Sequence, residues 1–380
     1  MHQRVVIIQR RLTQYRKPFF ELLRKKLRKK EIDLVVIYGI PNKNEQLKED
    51  NVTLDWGIQI ANQPIEIRNT VLLWQPALRY LNRGDLVIVE QASKLLINYV
   101  LLFCYKIKRI RLAYWGHGRN LQGQQSSLNV KIGEGIKKQV SQQVHWWFAY
   151  NDLSAKIVRA MDFPSSRITS VQNTVDTEPF TKYRPNQEEI SWIREKYKIF
   201  SVNTCIFSGS LYREKRILFL LSACNEIRKS IPDFEMIVIG AGSQKKLVEE
   251  ATRRNDWLHY LGPKFGKEKI ELLSLAKLLL MPGLVGLAVI DAFASETPLV
   301  TTNINYHSPE IDYIVDRFNG IIISESKDYH IYAHKVASIL KDDNLLSTLR
   351  VGCQRSTEQY TLENMVSRFA NGIVSALNTE

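Results

Sequence analysis

The sequence predicts an α/β protein made of two similarly built halves, and three observations support this. Short apolar runs alternate with helical stretches along all 380 residues, an order that builds mostly parallel sheets with helices on both faces. One polar segment with two prolines, residues 173–188, interrupts the alternation. Positive charge is also divided there: residues 1–180 hold 28 Lys/Arg against 15 Asp/Glu, and residues 181–380 hold 25 against 24.

In the first half the apolar runs predict strands over Arg4–Gln9, Asp33–Tyr38, Leu86–Glu90, Arg111–Trp115, His145–Tyr150 and Ile168–Gln172, with a helix over Lys17–Lys30. Segment 173–188 reads as the start of a linker. The second half repeats the design. Strands are expected over Thr204–Ser208, Glu235–Gly240, Leu258–Leu261, Leu278–Pro282, Pro298–Thr302 and Gly320–Ser324, with helices over about Arg216–Ser230 and Gln244–Arg254 and a final helix over about Leu362–Leu377. The expected division is residues 1–180, residues 181–360 and a terminal helix, 361–380.

Composition narrows the function classes. No apolar stretch is long enough to span a bilayer; Leu95–Tyr105 is about half of one span. The N-terminus enters a strand without a secretory apolar region. Cys104, Cys205, Cys224 and Cys353 are widely spaced, form no metal-like pairs and read as reduced thiols of a cytosolic protein. Between Arg16 and Lys30, Phe19, Phe20, Leu22, Leu23 and Leu27 share one helical face while basic residues crowd the rest. That pattern fits a solvated helix over a core, or a surface helix attached to anionic lipid headgroups. Lys106–Arg111 adds a second basic cluster. Nucleic acid is excluded as a partner because no recognition motif or stacking platform accompanies the charge.

The densest chemical signal is Met281-Pro-Gly-Leu-Val-Gly-Leu-Ala-Val-Ile-Asp291, continuing to Thr301. An apolar run, a glycine-containing turn and a helix N-terminus present backbone N–H groups to phosphate at the carboxyl end of a parallel strand. The stretch resembles the donor-site signature of the family 4 glycosyltransferases of the GT-B fold, which runs Pro-Ser-x-x-Glu-Gly-Phe-Gly-Leu, then a second Glu, then Gly-x-Pro-Val-Val. Gly283 stands at the first Glu and Asp291 at the second. Asn173-Thr-Val-Asp176 resembles the Asn-Gly-Val-Asp that closes the family's N-terminal domain. Phe207-Ser-Gly-Ser-Leu-Tyr-Arg-Glu-Lys215 resembles its Gly-Arg-Leu…Lys phosphate clamp, with Ser210 in place of the usual Arg.

This resemblance implies two Rossmann-like domains facing each other across a cleft, with the last helix crossing back to the first domain. It also implies site residues. Lys215 would neutralise the diphosphate, aided by Arg213 or Arg216, with no metal or other cofactor. Asp291 would accept the ribose hydroxyls, and Gly209, Ser210, Gly283, Val285, Gly286 and Leu287 would line the donor. His117, in Tyr114-Trp-Gly-His-Gly-Arg119, would face the donor sugar. Arg10, Arg11 and Arg16 occupy the loop after the first strand and are candidates for an anionic acceptor.

The function implied is a retaining glycosyltransferase moving a sugar from a UDP- or GDP-sugar to a lipid-linked glycan or lipopolysaccharide. It would be peripheral on the cytoplasmic face of the inner membrane. The loss of the first Glu keeps a non-catalytic partner subunit open, and a nucleotide-sugar epimerase is a further alternative.

Overall fold

The computed structural model describes residues 3–42, 46, 50–67, 70–118 and 142–379. The chain divides into two compact units, one of residues 1–176 with 362–380 and one of residues 177–361.

The first unit contains β1 (Gln3–Gln9), β2 (Ile32–Gly39), β3 (Ile58–Ile60), β4 (Gln63–Ile67), β5 (Thr70–Trp74), β6 (Leu86–Glu90), β7 (Arg111–Gly116), β8 (Trp146–Ala149) and β9 (Ile168–Ser170). Seven of these form an all-parallel sheet in the order β3-β2-β1-β6-β7-β8-β9. Its central strands are apolar at nearly every position because both faces are covered. On β1, Val5 and Ile7 point into one core with Phe19, Phe20, Leu23 and Leu27 of helix Lys17–Arg28, while Val6 and Ile8 point into the other with Leu101 and Leu102.

The terminal helix, Leu362–Asn378, belongs to this first unit. Phe369 stacks on Phe148 with ring centroids 4.4 Å apart and meets Trp115 and Phe19 edge-on. His145 Nε2 lies 2.8 Å from the Ala376 carbonyl.

The second unit holds β10 (Thr204–Ser208), β11 (Glu235–Ile239), β12 (Leu258–Tyr260), β13 (Leu278–Leu280), β14 (Leu299–Thr302) and β15 (Gly320–Ile323). They form a parallel sheet in the order β12-β11-β10-β13-β14-β15. Strand order reverses beside β10 and β13, and ligands bind at such a switch point, outside the carboxyl ends of the strands.

Three features differ from expectation. The segment read as a linker contains helix Glu178–Lys182, and helix Gln187–Tyr197 follows directly behind a capping box in which Asn186 and Glu189 satisfy each other's backbone N–H. β4 and β5 form an antiparallel hairpin outside the main sheet. The apolar face of the basic helix is buried in the core, and Glu21, Lys25 and Arg28 are its exposed residues. Lys26 Nζ donates to Ser367 Oγ of the terminal helix.

Candidate active site

The loop that leaves β13 is held from both sides. On one side is the tight turn Arg213–Lys215 after β10. Leu284 N–H donates to the Glu214 carbonyl at 2.9 Å, and Lys215 Nζ donates to the Leu284 carbonyl at 2.6 Å. A Cβ on Gly283 would lie 2.4 Å from the Glu214 oxygen and 2.4 Å from the Lys215 carbonyl carbon. Main chain therefore fills the space a side chain would need, and position 283 admits no carboxylate. Gly240 plays a similar part after β11, where a Cβ would strike the Gly209 carbonyl. This close approach lets Leu211 N–H reach the Ala241 carbonyl at 2.8 Å.

On the other side is His307. Its Nδ1 accepts the Val285 N–H at 3.0 Å and its Nε2 lies 2.8 Å from the Thr302 carbonyl. An amide N–H can only donate and a carbonyl can only accept, so the ring is neutral with its proton on Nε2. Burial lowers the affinity of His307 for a second proton, and the positive charge of Lys215 lowers it further, against the opposing pull of the Thr302 carbonyl. Ser308 N–H takes the Val285 carbonyl at 3.2 Å.

Val285 therefore has both main-chain groups engaged within the protein. Among the described residues, no internal acceptor takes the N–H of Gly286 or Leu287, the last two residues before helix Ala288–Ala294.

Lys215 is buried beneath this loop, near the Met281 sulfur, and burial brings its pKa down to about 8 while Glu310 pulls it upward. Arg216 does not reach in as a substitute clamp. Its guanidinium bonds to Thr302 Oγ1 at 3.0 Å, to the Pro282 carbonyl and to the Ser326 carbonyl, and it stacks on Phe219. Arg213 and Ser210 are exposed. Asp291 is tied to Lys269 of helix Gly266–Ser274 at 2.9 Å. Glu296 pairs with Arg184 at 2.8 Å.

In the first unit, His117 follows β7, and Arg119, which ends its motif, lies outside the described residues. The Gln91 amide makes two bonds to Gly118, one in each direction, and so fixes the His117 loop. The His117 ring meets Tyr150 edge-on at 4.1 Å. Burial, with help from Arg16, lowers its pKa to about 4, so at neutral pH it is an uncharged hydrogen-bonding group. Its Nδ1 is buried and has no protein partner among the described residues.

The three arginines expected to meet an acceptor part company. Arg11 is held by Asp50 at 2.6 and 3.0 Å and by Asn51. Arg16 is buried against Trp115, 4.4 Å from its ring centroid, and near Tyr15 and Tyr150. Only Arg10 is exposed, and its backbone N–H donates to Glu90 at 3.0 Å. Burial raises the Glu90 pKa against the pull of these arginines.

Residues 202–342, which contain the whole of this loop and its supports, match the family of glycosyl transferases group 1. The second unit therefore carries a glycosyl transferases group 1 domain, and the chain has the GT-B fold. Among curated relatives, the GtfA subunit of the Streptococcus pneumoniae UDP-N-acetylglucosamine–peptide N-acetylglucosaminyltransferase is 24% identical over 230 residues. That match covers 55% of this chain and only 44% of the relative. Alpha-monoglucosyldiacylglycerol synthase of Acholeplasma laidlawii is 20% identical over 349 residues, covering 87% and 86%. The solved structure of Anabaena HepE with UDP superposes with a TM-score of 0.72 at 13% identity, covering 98% of this chain and all of that one.

Against this glycosyltransferase background, His307, Lys269 and Glu90 stand out as polar residues that sequence reading missed. Each is a lone side chain with no spacing signal. Among the described residues, no group of three or more His, Cys, Asp or Glu converges as a metal site would.

Proposed function

We propose that this glycosyltransferase moves a sugar from a nucleoside-diphosphate sugar with retention of anomeric configuration. The acceptor is a lipid-linked glycan or lipopolysaccharide at the cytoplasmic face of a membrane. The observation that carries the donor half is the preorganised loop: Lys215 is buried beneath it, and the Gly286 and Leu287 N–H groups are left without internal acceptors. Preorganised charge and dipoles stabilise a leaving diphosphate without reorganisation during the reaction.

Retention fits a front-face attack in which the leaving phosphate takes the acceptor proton and no protein base is needed. A neutral His117 is suited to orient sugar hydroxyls and poorly suited to take that proton. We assign metal-independent transfer on the same grounds, since Lys215 and main-chain N–H groups supply the positive potential. UDP is favoured as the donor base by the names of the relatives, which carry UDP-N-acetylglucosamine and UDP. A lipid-linked acceptor is favoured by the diacylglycerol relative and by the basic first half.

The closed position at Gly283 favours a second reading, a GT-B subunit that binds nucleotide without transferring sugar. Calorimetric titration of UDP, GDP and CMP into the protein, with Lys215→Ala and Asp291→Ala, tests the donor site. Binding of one diphosphate that weakens in both variants supports it, and no binding by any of the three removes it. Release of sugar from the matching donor then separates transferase from binding subunit.

A further inference from the structure

Helix Ile97–Lys106 is apolar around nearly its whole circumference. Its inner face is occupied, because Ile97, Leu101 and Leu102 lie in the first unit's core. Asn98 donates to the carbonyls of Glu90 at 2.9 Å and Ala92 at 3.2 Å. Its outer face is exposed among the described residues. Tyr99 is 45% exposed, Phe103 63%, and Ile107, just past the last turn, 55%. Spaced by four residues each, the three fall on one line along the helix.

A helix that is apolar on all sides belongs in a core or against lipid, and a contiguous apolar patch marks an interaction surface where single exposed residues do not. Charge points to the same partner. Lys94, Lys106, Lys108 and Arg109 border the stripe and are exposed, and none forms an ion pair among the described residues. The sequence has no Asp or Glu between Glu90 and Glu134. A second copy of the chain laid on this stripe would press these cations against their own kind, whereas anionic headgroups would neutralise them. Helix Lys17–Arg28, the expected membrane element, has no apolar face left to insert.

We propose that the Tyr99–Phe103–Ile107 face docks this glycosyltransferase on an anionic lipid bilayer. The three side chains enter the headgroup–acyl boundary and Lys106, Lys108 and Arg109 meet lipid phosphates. Tyr99 suits that depth, with an apolar ring and a hydroxyl that already donates to the Ser93 carbonyl at 3.2 Å. The assignment rests on the membrane-side reading above and names the surface that performs it.

Flotation with vesicles of phosphatidylcholine alone, or mixed with phosphatidylglycerol, tests it. The full chain is expected to float with the mixed vesicles. Tyr99→Ser/Phe103→Ser/Ile107→Ser is expected to lose about tenfold or more in apparent affinity, and Lys25→Glu/Lys26→Glu/Lys29→Glu/Lys30→Glu to lose less. Phe103→Trp should show a blue-shifted emission on the same vesicles. UDP affinity equal to that of the parent shows that each variant is folded.

If the serine variant floats as well as the parent, the stripe is overturned and the membrane reading stands. If the parent itself does not float, both fall. If the parent is a dimer that the serine variant dissociates, and neither floats, the stripe is a contact between copies and the proposal is overturned.

Discussion

The ring of His307 stands between the Val285 N–H and the Thr302 carbonyl, and so ties the loop after β13 to the end of β14. Protonation would put a second N–H against the Val285 N–H and break that tie. His307, His117, His145 and His259 all bind protons less readily in the folded chain, chiefly because they are buried.

Stability should therefore fall on mild acidification. With folded pKa values below the unfolded value of about 6.5, the unfolded chain takes up protons that the folded chain refuses. Stability is full above about pH 6.5 and declines as pH drops below it. His117, at about 4, contributes on the order of 3 kcal/mol to that decline by pH 4. Thermal unfolding between pH 8 and pH 4 measures it. A flatter profile is expected for His117→Asn, and an unchanged one would mean that the burial of this ring is not felt.

Restoring the family's first carboxylate should harm the protein. Even Gly283→Ala places a Cβ against the 214–215 main chain and should cost about 1–3 kcal/mol in urea unfolding. Gly283→Glu should cost at least as much and weaken UDP binding. A stable Gly283→Glu variant with improved transfer would show that the turn yields easily.

Lys215→Ala should weaken UDP binding by about 2–3 kcal/mol and uridine binding hardly at all. In the parent, UDP affinity should fall as pH rises through about 8, where half of the ammonium has lost its proton, because only the charged form attracts diphosphate. Calorimetry across pH 7 to 9.5 reads both effects. Equal losses for UDP and uridine would remove Lys215 from the diphosphate site.

Phe369→Ala should destabilise the first unit by about 3–5 kcal/mol, since the ring fills space among Phe148, Trp115 and Phe19. Chemical unfolding monitored by tryptophan emission is the measurement. A change below about 1 kcal/mol would mean that the helix contributes little to that core.

Much of this architecture could be read from residue order. The strands were legible because buried parallel strands are short continuous apolar runs, as Leu86–Glu90 and Thr204–Ser208 show. Helix Gln187–Tyr197 was readable too, from Asn186 and Glu189 at capping-box spacing, but the surrounding polar residues hid it. Motif and local geometry coincide at Lys215 and in the loop that holds Gly286. Arg11 and Arg16 looked available because Asp50 and Trp115 are distant in sequence. Gly283 announced a missing carboxylate, yet nothing in the sequence told that backbone from another strand's loop occupies its place.

The residence of Leu362–Asn378 in the first unit also orders events in time. Phe19, Trp115 and Phe148 leave the ribosome early, but the ring that covers them arrives after residue 361. The second unit is contiguous in sequence and can fold as it is made, whereas the first must keep an unfinished apolar face until Leu362–Asn378 has been made. A nascent chain stalled before Leu362 is therefore expected to recruit chaperones through the apolar surface around Phe19, Trp115 and Phe148.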